Sequence, residues 1–186
     1  VDMKRKILSK LIEWKNKKNR KPLIVNGARQ VGKTYILREF GTSQYEKMAY
    51  INCDKNKILE KIFSQDYNIS RILLSLSAIL HINIEPENTL IIFDEIQESP
   101  IVLNSLKYFC EDAPQYHVAV AGSLLGISLH RDTSFPVGKV DMIKMYPMTF
   151  DEFLMAIGEQ PLVDVLVTKD FSIIDSLSIR LIDCLR

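Results

Sequence analysis

The chain has 186 residues, 47% of them hydrophobic and 25% charged, with a formal net charge of +1, which suits one soluble globular domain with a sizeable core. A membrane span of ~20 apolar residues is excluded, because the longest apolar stretch, Ile72 to Ile84, is interrupted by Ser75, Ser77, His81 and Asn83, and no signal-peptide pattern opens the chain. Cys53, Cys110 and Cys184, like His81, His117 and His130, lack disulfide or metal-site spacing, so a reduced, cytoplasmic protein is expected.

The even net charge conceals an asymmetry. Up to Lys21, nine basic residues from Lys4 onward face only Asp2 and Glu13, about +7, which leaves about −6 for the remainder. Such a cluster suits nucleic acid or an acidic partner, or simply a solvated helix face. Ile7, Leu8, Leu11, Ile12 and Trp14 fall on one side of a helix from about Met3 to Asn16. Pro22 then opens a strand, a position that tolerates its missing N–H.

Leu23-Ile24-Val25-Asn26 reads as that strand, and Gly27-Ala28-Arg29-Gln30-Val31-Gly32-Lys33-Thr34 follows it. The octapeptide fits G-x-x-x-x-G-K-[ST], a phosphate-binding loop. Its two glycines are expected to let the backbone turn tightly so that successive N–H groups face phosphate oxygens. The helix from Lys33 to Phe40, expected to stop at Gly41, aims its positive end at the same point. Lys33 supplies a point charge for the terminal phosphates, and the Thr34 hydroxyl can ligate Mg²⁺.

Met48 to Asn52 reads as a second strand. Ile58, Leu59, Ile62 and Phe63 mark one helix, and Ile69, Ile72, Leu73, Leu76, Ile79 and Leu80 another. Glu85-Pro86-Glu87-Asn88 is a turn. Leu90-Ile91-Ile92-Phe93 then suits a strand buried on both faces of a parallel sheet. It ends in Asp94-Glu95, where open α/β sheets bind ligands. Asp94 is expected to hold Mg²⁺, directly or through water, and Glu95 to activate an attacking water.

Ser99-Pro100 reads as an N-cap and first helical proline. Tyr116 to Ala121 is a further strand ending at Gly122-Ser123. Ser123 suits either a contact to the γ-phosphate or lytic water, or a cap for a helix from Leu124. Leu129 to Val140 is a polar loop in which Arg131 or Lys139 could neutralise phosphate charge in a neighbouring subunit, or lie on the surface. Asp141 to Pro147 alternates as a last strand. Thr149-Phe150-Asp151-Glu152 is a capping box, and Gly158 closes that helix. Phe171 to Arg186 reads as one final helix.

This order implies a mostly parallel α/β sheet with helices on both faces, a three-layer P-loop NTPase fold. A GTPase is disfavoured, since Asp94 is followed by Glu95-Ile96-Gln97 without a glycine, and Thr168-Lys169-Asp170 is one residue short of a guanine-reading T-K-x-D. The glutamate after the strand-terminal aspartate points to hydrolysis with a built-in base, and adenine is the better choice because the guanine signatures are missing. A small-molecule kinase is the alternative that the residues leave open.

Arg20 to Thr34, Asp94-Glu95-Ile96-Gln97 with Leu106-Lys107, Ala121 to Leu125 and Tyr146 to Leu154 together resemble the AAA-type P-loop ATPases of bacteria and archaea that carry a C-terminal domain of unknown function. The resemblance covers about Arg5 to Gly158. It implies an AAA-like domain with an additional strand, a catalytic glutamate and Ser123 in the sensor position. Residues 1–160 would be the ATPase domain and 161–186 the helical start of a region that is largely absent. ATP and Mg²⁺ would be the cofactors and a homo-oligomer a possible assembly; a nucleotide-gated switch with negligible turnover is the alternative. One departure is that the family usually has Gly-Arg where this chain has Gly138-Lys139, and lysine lacks the bidentate fork of arginine.

Overall fold

The structure is a computed structural model that describes residues 5–123 and 135–184. Their elements run α1 (Ile7–Lys15), β1 (Leu23–Gly27), α2 (Lys33–Gln44), β2 (Lys47–Asn52), α3 (Lys57–Phe63), α4 (Ile69–Leu80), β3 (Thr89–Asp94), a 3₁₀ turn (Ile96–Glu98), α5 (Pro100–Asp112), β4 (His117–Ser123), β5 (Asp141–Met145), α6 (Phe150–Ala156), α7 (Gln160–Thr168), α8 (Phe171–Ser176) and α9 (Ser178–Asp183). They form two compact units, one of Ser9–Tyr146 and one of Pro147–Arg186 together with Val1–Leu8.

The first unit holds a five-stranded sheet in the order β2-β3-β4-β1-β5, parallel throughout. The hydrophobic pattern explains which strands lie inside. β1, β3 and β4 are buried at every residue, whereas β5 alternates between partly buried and exposed residues up to the buried Met145, as an edge strand with one wet face should. Ile24, Ala49, Ile51, Ile91, Phe93, Val118 and Val120 share one core with Leu59, Ile62 and Phe63 of α3, Ile72 and Leu76 of α4, and Leu106 and Phe109 of α5. Alternate strand residues therefore face the opposite side, where α2 packs with Gly41 near Leu90, and Trp14 of α1 lies 6.3 Å from Phe40. Helices on both faces of the sheet give the expected three layers.

Several local expectations are corrected. Gly41 does not end α2, which continues to Gln44; a Cβ there would come within 2.6 Å of Met48 Sδ, so the glycine serves helix–strand packing. Gly27 is extended β1 backbone. Only Gly32 of the two loop glycines has a positive φ, 91°. What Gly27 provides is close strand approach, since a Cβ would be driven into the Met145 carbonyl oxygen of β5. Pro100 does open α5, yet the Ser99 side chain makes no capping bond and its Oγ is buried without a partner among the described residues. Arg131 and the helix expected from Leu124 lie outside the described residues.

In the second unit, the capping box of α6 is present. Thr149 donates its N–H (2.9 Å) and hydroxyl (3.1 Å) to Glu152 Oε2, and the Lys6 N–H donates to Oε1 at 2.8 Å. Burial opposes the charge on Glu152, but these N–H groups and the Arg5 guanidinium, 3.3 Å away, hold its carboxyl below the usual range. Gly158 (φ 85°) closes the helix. The sequence reading missed α7, which buries Leu162 and Val163 against Leu154. The expected single final helix is two, α8 and α9. They part at Leu177, whose N–H turns to the Ile173 and Ile174 carbonyls, while the Ser176 hydroxyl bonds back to Ile173 O at 2.7 Å.

The N-terminal ends of the sheet strands rest on an aromatic cluster. Tyr45 Oη and His117 Nδ1 lie 2.7 Å apart, with Trp14 edge-on to the imidazole at 6.1 Å. His117 Nε2 is buried without a hydrogen-bond partner among the described residues. Burial first, then the charges of Arg20 and Lys15, lower the His117 pKa from 6.5 to about 4. The unfolded chain thus binds a proton that the native state refuses between these values. The contribution is complete above pH 6.5 and is lost as pH falls toward 4. In urea titrations at stepped pH, His117→Gln is expected to flatten the wild-type loss of stability across that window. Gly27→Ala is expected to destabilise by about 1–3 kcal/mol through overpacking against β5, read from the shift of the urea midpoint at unchanged slope.

Candidate functional site

Three neighbouring strands, β3, β4 and β1, bring Asp94, Ser123 and Gly27 to one edge of the sheet. Ser123 is in register with Gly27, so β4 puts Ser123 between the glycine-rich loop and the acidic strand end. Ala28, Arg29 and Gln30 are exposed at the crown of the loop, while Val31 is buried and anchors it. Gln30 (φ 63°) and Gly32 (φ 91°) take left-handed backbone, and Gly32 caps α2 without a side-chain bond. The first-turn amides of α2 therefore have no capping side chain to compete for them.

Lys33 Nζ donates to the loop's own carbonyls, Ala28 O at 2.6 Å and Gly27 O at 3.2 Å. Partial burial lowers its pKa, against the raising influence of the Glu95 and Asp94 carboxylates. The Thr34 hydroxyl donates to Asp94 Oδ2 at 2.7 Å, fastening the first turn of α2 to the end of β3. Asp94 is buried, and its Oδ1 accepts the Glu95 N–H at 2.9 Å. The hydroxyl and carboxylate oxygens of Thr34 and Asp94 fit Mg²⁺, which takes hard oxygen ligands and usually keeps waters and phosphates in its remaining positions. Among the described residues, no cluster of three or more His, Cys, Asp or Glu side chains is placed to hold an ion.

Two partners were not foreseen. Tyr50 of β2 donates its hydroxyl to Asp94 Oδ2 at 2.7 Å, and the Arg38 guanidinium of α2 lies 3.8 Å from the Tyr50 ring centre. Burial and Asp94 both raise the Tyr50 pKa, keeping the phenol a donor. The only clue in sequence is strand register: Asn52 pairs with Asp94, which places Tyr50 two residues back on the neighbouring strand. The second is Gln97, whose Nε2 donates to Glu95 Oε2 while its Oε1 accepts the Ser123 N–H. Glu95 itself is exposed and left-handed (φ 52°). Cys53 lies behind Asp94, where burial, then the Asp94 and Glu95 charges, push its thiol up to about 12 and remove it as a nucleophile.

The candidates further along behave differently. Lys139 pairs with Glu111 at 2.8 Å on the surface. Much of the basic N-terminal cluster is engaged within its own unit: Lys15 bonds Gln44 O, Lys17 pairs with Asp141 at 2.7 Å, Arg20 donates to Lys15 O and Lys21 to Gly138 O.

No curated protein gives a significant sequence match. Among solved structures, the Walker-type ATPase PABY2304 of Pyrococcus abyssi is similar over 90% of this chain, with 16% identity and a TM-score of 0.52. The Aeropyrum pernix ORC1 protein, solved in complex with DNA, is similar over 82%, with 14% identity and a TM-score of 0.52. At these identities the likeness concerns the fold, and the chain spans 63% and 48% of the lengths of those two structures. Residues 19–154 match the family described as AAA domain, from the approach to β1 through most of α6. The glycine-rich loop, the acidic end of β3 and the interposed β4 all fall inside that match, and the chain belongs to this AAA-type ATPase family.

Proposed function

We propose that the domain binds ATP with Mg²⁺ and hydrolyses it. The observation that carries this reading is the Thr34–Asp94 hydrogen bond, which brings the phosphate loop and the acidic strand end to one point with Glu95 immediately beyond. Lys33 leaves the Ala28 and Gly27 carbonyls for the β- and γ-phosphates, whose charge outcompetes two neutral acceptors. Thr34 and Asp94, already joined through the Thr34 hydroxyl, would hold the ion, Asp94 directly or through water, with Tyr50 restraining the carboxylate. Bound there, the metal neutralises charge on the phosphates. Glu95 takes the proton of the attacking water, and Ser123, between the two motifs, contacts the γ-phosphate or that water. Gly27 to Thr34 would line the nucleotide.

Adenine is favoured because neither guanine-reading signature is present in the sequence. Coupling to a further domain beyond residue 160, assembly into a homo-oligomer and a cytoplasmic setting belong to the same reading. Nucleic-acid binding through the basic N-terminal segment is the weaker proposal, because many of those side chains already have partners inside the domain.

Lys33→Ala is expected to weaken ATP binding by about 10–100-fold, the scale of a charged hydrogen-bond set, in a calorimetric titration with Mg²⁺; unchanged affinity would refute the loop assignment. Glu95→Gln is expected to retain ATP affinity while phosphate release falls by about 10²–10⁴-fold. EDTA is expected to stop wild-type turnover, and added Mg²⁺ to restore it. ATP binding with a flat phosphate trace would instead identify a nucleotide-gated switch.

A further inference from the structure

We propose that Gln97 is the positioning residue for Glu95, holding the base in line with the end of β4 and so linking it to Ser123; this rests on the hydrolytic reading above. The β3–β4 main-chain ladder ends at Phe93 paired with Val120. Beyond it, β3 breaks at Glu95, whose left-handed backbone turns the chain into the 3₁₀ segment Ile96–Glu98. That turn brings the Gln97 side chain to the end of β4, where its Oε1 accepts the Ser123 N–H at 3.2 Å. The same amide gives its Nε2–H to Glu95 Oε2 at 2.5 Å.

The orientation of this amide is fixed by its neighbours. A carboxylate only accepts and a backbone N–H only donates. Turning the amide over would set oxygen against oxygen and N–H against N–H, losing both bonds. Glutamine is thus the uncharged side chain that can join these two groups at this reach, with one end a donor and the other an acceptor. Glu95 needs such a hold. It is exposed, its residue is strained, and an unrestrained glutamate side chain has three rotatable bonds to order before it can present an oxygen to water. Ile96, fully buried between these residues, anchors the turn so that Gln97 is only partly exposed. The second oxygen, Glu95 Oε1, remains for the lytic water.

Two substitutions separate this role from simple support of the turn. Gln97→Glu keeps an acceptor for the Ser123 N–H but replaces the donor to Glu95 with a like charge; Gln97→Leu removes both bonds at similar size. ATP turnover and the hydrogen exchange of the Ser123 amide, followed by NMR, are measured for wild type and both variants, with thermal melts verifying the fold. In both variants kcat is expected to fall by about 10²-fold, the scale of a misplaced catalytic group, with KM for MgATP within about twofold. Ser123 exchange is expected to accelerate in Gln97→Leu and to stay near wild type in Gln97→Glu. Wild-type kcat in Gln97→Glu would overturn the inference, even if Gln97→Leu were impaired, since the contact to Glu95 would then have no consequence. So would a fall in kcat matched by a rise in KM. A wild-type protein that binds ATP without turnover removes the hydrolytic reading and the positioning role with it, an outcome distinct from an active wild type matched by its variants.

Discussion

The hydrogen bond between the Thr34 hydroxyl and Asp94 Oδ2 closes the structure's central constraint. Thr34 begins α2 and Asp94 ends β3, two strands away from β1 in the sheet. For these groups to meet, β4 must occupy the space between, α2 must pack closely on the sheet, and β1 must lie near enough to β5 that its last residue can only be glycine. The burial of β1, β3 and β4 along their whole length supplies the free energy that holds this arrangement, at about 25 cal/mol per Å² of apolar surface removed from water. A buried aspartate is costly without partners. Asp94 has three donors, from Thr34, Tyr50 and the Glu95 main chain.

Backbone strain is also present at the same edge. Among the described residues, two non-glycine positions with left-handed backbone, Gln30 and Glu95, belong to the two motifs themselves. Each costs roughly 1–2 kcal/mol relative to ordinary backbone, and each sharpens a turn that carries the chain away from a strand end. At Gln30 the turn exposes the loop crown. At Glu95 it lifts the carboxylate to the surface while Ile96 returns to the core, so that a rigid, buried strand presents one exposed acid.

The positive charge of the N-terminal segment has a different meaning in three dimensions than in one. Lys15 and Arg20 border the Tyr45–His117 cluster, Lys17 and Lys21 secure the start of β5, and Arg5 and Lys6 meet Glu152 and Asp151. The more exposed pairs, Lys6–Asp151 and Lys17–Asp141, contribute little stability, but they neutralise charge that a binding face would need. The cluster read as a surface feature is in large part structural.

Amino-acid order alone determined the fold class, because short unbroken apolar runs bounded by turn signals suit interior parallel strands and the glycine-rich loop has a strict local spacing. It also put Lys33, Thr34, Asp94, Glu95 and Ser123 at or next to the ends of recognisable elements, which is where they lie in the fold. Helix boundaries beyond Gly158 were illegible, because a few serines there decide between one helix and two, and α7 shows its apolar face only against Leu154. The reason for Gly27 was likewise invisible, since the Met145 carbonyl that demands it lies 118 positions away. Only the tertiary structure brought Tyr50 and Gln97 to the site. The Tyr50–Asp94 and Gln97–Ser123 pairings, 44 and 26 positions apart, depend on strand register and on where a ladder stops, and leave no trace in the spacing of neighbouring residues.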